Sequence, residues 1–223
     1  MPYHPTQDAV LDYAQGVLDG GFPPGVIMID DRWSVDYGNW TFDRTRFPHP
    51  AEMTRRLHEL GFSVMLWLVP FVSPDSENSR MAASKGWLIK GPDKQPVVRD
   101  WWNGYSTVLD LTHPEAVAWL RAALHDLIAI DGVDGFKFDA GDLRDYPPDD
   151  EAVAGNAAVD QCEAWARLAR PRRPAPPRHP GCREDSPGPG RWRSSDGSVT
   201  AGATEIVLDV QLESMPYWRR IVS

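Results

Sequence analysis

Residues 133–142 read VDGFKFDAGD, a short run built on Phe136 and Phe138 that stops at Asp139 and is followed by the small residues Ala140 and Gly141. Its length and apolar character are those of a parallel strand buried on both faces. Side chains alternate along a strand, so Lys137 and Asp139 project from the same face, and the ammonium favours the ionised form of the carboxylate beside it. The small residues after Asp139 let another molecule approach that carboxylate closely, as a nucleophile requires. A purely structural Lys–Asp ion pair fits the same spacing.

The pattern repeats upstream. GVIMIDD at 25–31 and SVMLWLVP at 63–70 are apolar runs of the same kind. Each follows a helical periodicity. Val10, Tyr13, Ala14, Val17 and Leu18 share one face and stop at Gly20-Gly21, while Met53, Leu57 and Leu60 follow Pro50 and stop at Gly61. A third helix, with Val117, Leu120, Leu124, Leu127 and Ile128 inward, is predicted to start from a capping box of Thr112 and Glu115 with Pro114 in its first turn. A fourth is predicted around Asp149–Ala169, after Pro147-Pro148.

Alternating helices and parallel strands build either a doubly wound sheet or a barrel. No Gly-rich phosphate loop follows any of the strands, which favours the barrel. The 223 residues suffice for one domain with a core, yet fall short of the roughly 250 typical of a complete (β/α)8 barrel. The expected fold class is therefore α/β: a partial (β/α)8 TIM barrel, about three of eight strands, over residues 1–169. Barrel chemistry sits at the carboxyl ends of the strands, which here carry Asp30, Asp31, Trp67, Lys137, Asp139 and Asp142.

Charge and composition narrow the function classes. A net charge of -9 argues against a nucleic-acid partner, whose domains carry a basic stripe. No apolar run approaches the ~20 residues of a membrane span, and MPYHPTQDAV has neither the basic start nor the apolar stretch of a signal peptide. A soluble, cytoplasmic chain without a membrane partner is expected. Cys162 and Cys182 lack metal-ligand spacing, so neither a metal nor another cofactor is expected. Seven of the ten tryptophans precede residue 160. Combined with carboxylates at strand ends, they point to a carbohydrate, since indole faces stack on pyranose rings and carboxylates accept bonds from hydroxyls. Trp119, midway along a helix, is read as core. Trp33, Trp101 and Trp102 are read as loop residues free to meet a ligand.

These segments resemble glycoside hydrolase family 31, the retaining α-glycosidases. The resemblance rests on TQDAVLDYAQGVLDGGFPPGVIMIDDRW, on YGNWTFDRTRFPHPAEMTRRLHELGFSVMLWLVPFVSP, on WWNGYSTVLDLTHPEAVAWL and on DGFKFDAGD, which cover residues 5 to about 150 almost continuously. It implies that Asp139 is the catalytic nucleophile and Asp142 a carboxylate supporting it. It further implies that Asp30 or Asp31 binds substrate and that Trp102 with Gly104 borders the sugar. Lys137 stands where the common α-glucosidase pattern has Trp and matches a KFDAG branch instead, which opens the specificity to another α-sugar such as galactose.

A retaining glycosidase needs a second carboxyl group as acid and then base, about 5–5.5 Å from the first. By resemblance it would come from a later strand, beyond residue 170. There the sequence turns to RPRRPAPPRHPGCREDSPGPGRWRSSDGSVT, with seven Pro, seven Arg and no Leu, Ile, Phe, Tyr or Met. Residues 170–200 are expected to be a disordered linker or a non-native tail, as a shifted reading frame would give, and 201–223 a short unassigned apolar segment. Two functions stand side by side: a retaining α-glycosidase of α-glucosidase or α-galactosidase type, and an inactive fragment or pseudoenzyme that binds sugar weakly.

Overall fold

The computed structural model describes residues 5–155 and 158–168. The expectations for residues 170–200 and 201–223 lie outside the described residues.

The first helix, α1 (Gln7–Asp19), starts where Thr6 Oγ1 accepts the Ala9 N–H at 3.2 Å, and it buries Val10 and Ala14. It leads to strand β1 (Val26–Ile29). Helix α2 (Pro50–Glu59), with Pro50 in its first turn, leads to β2 (Ser63–Leu68). Helix α4 (Pro114–Ala129) leads to β6 (Gly135–Phe138). These three strands pair in parallel in the order β1-β2-β6, so the three strands expected from sequence are those found.

Registers of Ile29 with Leu66 and of Leu68 with Phe138 align one row of buried side chains, including Ile27, Val64 and Phe136, against the helices. Met53 and Leu57 of α2, Leu120, Leu124 and Leu127 of α4 and Trp165 of α5 (Ala158–Leu168) complete that core. The alternate positions, Met28, Met65, Trp67 and Lys137, share the opposite face by the two-residue period of a strand. Met28, Met65 and Lys137 there are only half-buried. The strands are thus not buried on both faces, as their apolar runs suggested, because the inner face turns toward a cleft.

Between β2 and α4 the chain makes a second layer. Strands β3 (Phe71–Val72), β4 (Val98–Trp101) and β5 (Gly104–Val108) form an antiparallel sheet in the order β3-β5-β4, with α3 (Glu77–Ser84) between β3 and β4. Phe71, Val97, Trp101 and Val108 pack with Trp67, Val69, Ile89 and Tyr146 in a smaller core. The tip of the β4–β5 hairpin, Trp102-Asn103, thereby reaches the strand ends of the parallel sheet.

Two boundaries differ from the sequence reading. Helix α4 is capped by His113, whose Nδ1 accepts the Glu115 N–H at 3.2 Å. Thr112 instead donates its hydroxyl to Asp110 at 2.6 Å, and Glu115 accepts the Trp87 indole N–H at 3.2 Å. Helix α5 begins at Ala158 rather than near Asp149, because tertiary partners occupy the intervening stretch. Asp150 pairs with Arg99, Glu151 bridges to Lys90, and the Val153 N–H donates to Asp110 Oδ2 at 2.8 Å. Among the described residues no helix is long and apolar enough to cross a membrane.

Asp110 is 1% exposed and accepts from Val153 N, Thr112 N, Thr112 Oγ1 and Gln161 Nε2, fastening α5 and the preceding turn to the start of α4. Asp110→Ala strands one buried and three partly buried donors at once and should cost about 3 kcal/mol in urea unfolding. An Asp126→Ala change on the exposed side of α4 should cost less than about 0.5 kcal/mol.

Candidate active site

Asp139 follows β6 directly, and its backbone N–H extends the parallel ladder by donating to Leu68 O at 2.8 Å. The chain then leaves the sheet through two left-handed residues, Ala140 at φ 54° and Gly141 at φ 71°. A Cβ at Gly141 would lie 3.0 Å from Trp165 Cδ1, so both conformation and packing favour glycine there. Ala140 has no such excuse. A non-glycine residue in this region is uncommon and costs energy, so the strain sits one residue from the carboxylate that the sequence singles out.

The Asp139 carboxylate is held from two sides. Its Oδ1 accepts the Ala140 N–H at 2.9 Å and its Oδ2 accepts the Trp67 indole N–H at 2.7 Å. Register brings Trp67 beside Lys137 on the neighbouring strand, so its indole reaches over to Asp139. The Lys137 ammonium lies 3.7 Å from Asp139 Oδ2 and 4.0 Å from Asp30 Oδ2, a cation between two carboxylates at the ends of β6 and β1, the strands on either side of β2. Asp30, Asp31, Trp67, Trp102, Asn103 and Asp139 line one open cleft of about 620 Å³ with Met28 among its apolar lining.

The structure therefore brings together Asp30, Asp31, Trp67, Trp102 and Asp139 of the expected site residues, with Lys137 linking two of them. Trp33 requires correction. It is 3% exposed, edge-on to Phe42 at 5.3 Å, with its indole N–H spent on Trp67 O at 2.8 Å, so it supports the site from within the core. Trp101 also is buried, in β4 rather than in a loop, with Trp102 edge-on to it at 5.1 Å and 53% exposed. Trp119 packs edge-on to Trp40 at 4.8 Å, as a core residue should.

Asp142 is placed differently from the expectation of a partner to Asp139. It is outside the cleft lining, half-exposed, and 4.0 Å from Arg144 Nε at the start of a 3-10 turn (Leu143–Asp145). Asp145 Oδ2 accepts its backbone N–H at 3.0 Å. Two residues of the site were missed by sequence reasoning, Asn103 and Tyr37. Asn103 lies inside the WWNG motif and could have been read from it, whereas nothing in its local sequence marks Tyr37.

Behind Gly141 the surroundings are dry. Burial pushes the Asp145 carboxyl above its usual range, against its backbone hydrogen bonds, and raises the Tyr146 phenol well above its ordinary value. Burial likewise raises the Cys162 thiol, whose Sγ donates to Gly141 O at 3.1 Å, which disfavours the thiolate form. On the other side, the loop after β1 is pinned by Asp43, brought down from 3.8 to about 2 by the Thr45 hydroxyl and by Arg46. Among the described residues no group of three or more His, Cys, Asp or Glu is arranged to hold a metal ion.

The family model for the glycosyl hydrolases family 31 TIM-barrel domain matches residues 1–167. The chain belongs to glycoside hydrolase family 31. The myogenesis-regulating glycosidase of Mus musculus is 35% identical over 74% of this chain and 24% of its own length. The α-xylosidase XylQ of Lactiplantibacillus pentosus is 29% identical over 61% of this chain and 18% of its own. Among solved structures, a family 31 α-xylosidase from a soil metagenome, complexed with xylose, superposes with a TM-score of 0.66 at 24% identity, covering 74% of this chain and 25% of that one. A xylosidase from Aspergillus niger does so with a TM-score of 0.54 at 30% identity over 60% of this chain and 19% of that one. This member of family 31 thus spans about a quarter or less of the length of these relatives, and its three parallel strands are part of the family's barrel.

The bond from Trp67 to Asp139 generates a direct spectroscopic expectation. In nitrogen–proton spectra the Trp67 indole signal should move on Asp139→Ala. The Trp101 indole, which donates to Ser106 Oγ at 3.1 Å, should stay in place.

Proposed function

We propose that this chain carries the nucleophile half of a retaining α-glycosidase site, with Asp139 as the attacking carboxylate. The observation that carries the reading is the placement of Asp139 at a strand end, in an open cleft, with each oxygen oriented by one N–H donor and an ammonium at 3.7 Å. In retention the carboxylate attacks the anomeric carbon, the bond to the leaving oxygen breaks, and water later cleaves the glycosyl ester. Trp102, half-exposed at the cleft rim, offers a face for the sugar ring, and Asp30 offers an oxygen for hydroxyls. Lys137, between Asp30 and Asp139, is a second polar contact that favours a substrate other than a simple α-glucoside, with an α-galactoside in view. Relatives of this chain include α-xylosidases and an α-glucosidase, so the linkage class is common to them while the sugar is not.

A second reading, binding without turnover, is favoured by one observation. Among the described residues, the carboxylates lining the cleft are Asp30, Asp31 and Asp139, and the outer edges of β1 and β6 pair with no strand. None of these carboxylates is assigned the role of acid.

A mechanism-based fluorinated glycosyl fluoride separates the questions, since fluoride departs without needing a proton. The chain should acquire a covalent sugar on the peptide containing GFKFDAGD, and Asp139→Ala should abolish it. Label on Asp30 or Asp31 would overturn the assignment of the nucleophile. Labelling by the fluoride without hydrolysis of an ordinary methyl α-glycoside would select the second reading.

A further inference from the structure

One carboxylate ties the tip of the β4–β5 hairpin to the end of β1. Asp31 Oδ1 accepts from the Tyr37 hydroxyl at 2.9 Å, and Asp31 Oδ2 accepts from Asn103 Nδ2 at 2.9 Å. Arg32 Nε stands 3.8 Å from the same Oδ2. Asn103 is distant in sequence and sits at the turn between β4 and β5, next to Trp102. Tyr37, the other donor, is edge-on to Trp101 at 4.8 Å and to Trp67 at 6.2 Å, and its backbone N–H donates to Ser73 Oγ at 3.2 Å.

Asp30 is placed otherwise. One of its oxygens accepts the backbone N–H of Asp31, at 2.8 Å, while the other faces Lys137 across 4.0 Å. Its side chain is 49% exposed against 18% for Asp31. Two adjacent acids at one strand end have thus been given different work. Hydrogen bonds to an ionised carboxylate are stronger than neutral ones, so Asp31 is suited to hold the turn.

We infer that Asp31 is a positioning residue, a latch that holds the Trp102-Asn103 turn as one wall of the cleft, while Asp30 is the acid presented to the ligand. The ligand's being a sugar rests on the glycosidase reading; the latch does not. Without the latch the hairpin remains paired along β4 and β5, but its tip and the Trp102 ring leave the cleft. The shape of the cleft, and hence the choice of ligand, then depends on a carboxylate that accepts from both walls, from Tyr37 and from Asn103.

The test reverses that bond in the 223-residue chain. Asn103→Ala and Asp31→Asn should each speed hydrogen exchange at the amides of the hairpin tip, residues 102–104, by about tenfold, leaving the rest of the β4–β5 ladder, β2 and β6 unchanged. The double change Asp31→Asn with Asn103→Asp exchanges donor and acceptor and should restore protection. With 5-fluorotryptophan incorporated, the Trp102 signal, identified by Trp102→Phe, should move in each single variant and return in the double one. The Trp40 and Trp87 signals, from the main core, should not move. Unchanged hairpin exchange in both single variants would overturn the latch, and so would a double variant that leaves the turn open. If a single variant unfolds the whole chain, recovery or failure in the double variant decides the matter in the same way. Titration with 1-deoxynojirimycin keeps the two proposals apart. A working latch in a chain that binds no iminosugar counts against the glycosidase reading only, and iminosugar binding with an unchanged hairpin counts against the latch only.

Discussion

The register between β2 and β6 is the constraint on which the site depends. Trp67 lies beside Lys137, so its indole N–H meets Asp139 two residues further along the adjacent strand. A slip of one residue would turn Lys137 and Asp139 toward the helices and bring Phe136 and Phe138 into the cleft. The apolar row formed by Leu66, Leu68, Phe136 and Phe138 forbids that slip, since burying these side chains against α4 and α5 is worth about 1.5–3 kcal/mol each. The core thus fixes the chemistry. The same hydrophobic row that stabilises the sheet decides which carboxylates face a ligand.

Around that fixed floor the cleft is assembled from parts with weaker claims on the core. The antiparallel β3-β5-β4 layer brings Trp102 and Asn103 over the strand ends, and the loop after β1 brings Tyr37. These walls meet through side-chain hydrogen bonds at the half-buried carboxylate of Asp31. Strand positions are set by many methylene groups, whereas wall positions are set by a few polar atoms. Within a family that shares one barrel, such walls are where differences in ligand are expected to arise.

Much of the floor was legible in the sequence. Three short apolar runs, two of them closed by aspartates, place the strands and their carboxyl ends, and a two-residue period puts Lys137 and Asp139 together without any coordinates. The walls were less legible, for physical reasons. Trp33 and Trp101 were read as loop residues open to a ligand, but an indole carries so much apolar area that it packs inward wherever neighbours allow, and Phe42 and Phe71 do. Tyr37 acts through a hydroxyl bond to Asp31 and ring contacts with Trp67 and Trp101, which no local pattern encodes. The early start read for α5 failed because Asp110 and Thr112, some forty residues upstream, take the amides of Val153 and Ala154. Local signals describe what a segment would do alone, and here long-range hydrogen bonds overrode them.

The central claim is that Asp139, held by Trp67 and Ala140, is the carboxylate a bound sugar meets. Calorimetric titration of the chain with 1-deoxynojirimycin and with its galacto isomer tests it most directly, because a basic sugar mimic seeks the carboxylate at the anomeric position. The account predicts one site per chain for at least one of the two, weakened at least about tenfold by Asp139→Ala, as loss of a charge-assisted contact implies. It also predicts little change on Asp142→Ala, since that side chain lies outside the cleft. Equal affinity in the Asp139→Ala chain, or loss of binding on Asp142→Ala with the fold intact, would contradict it.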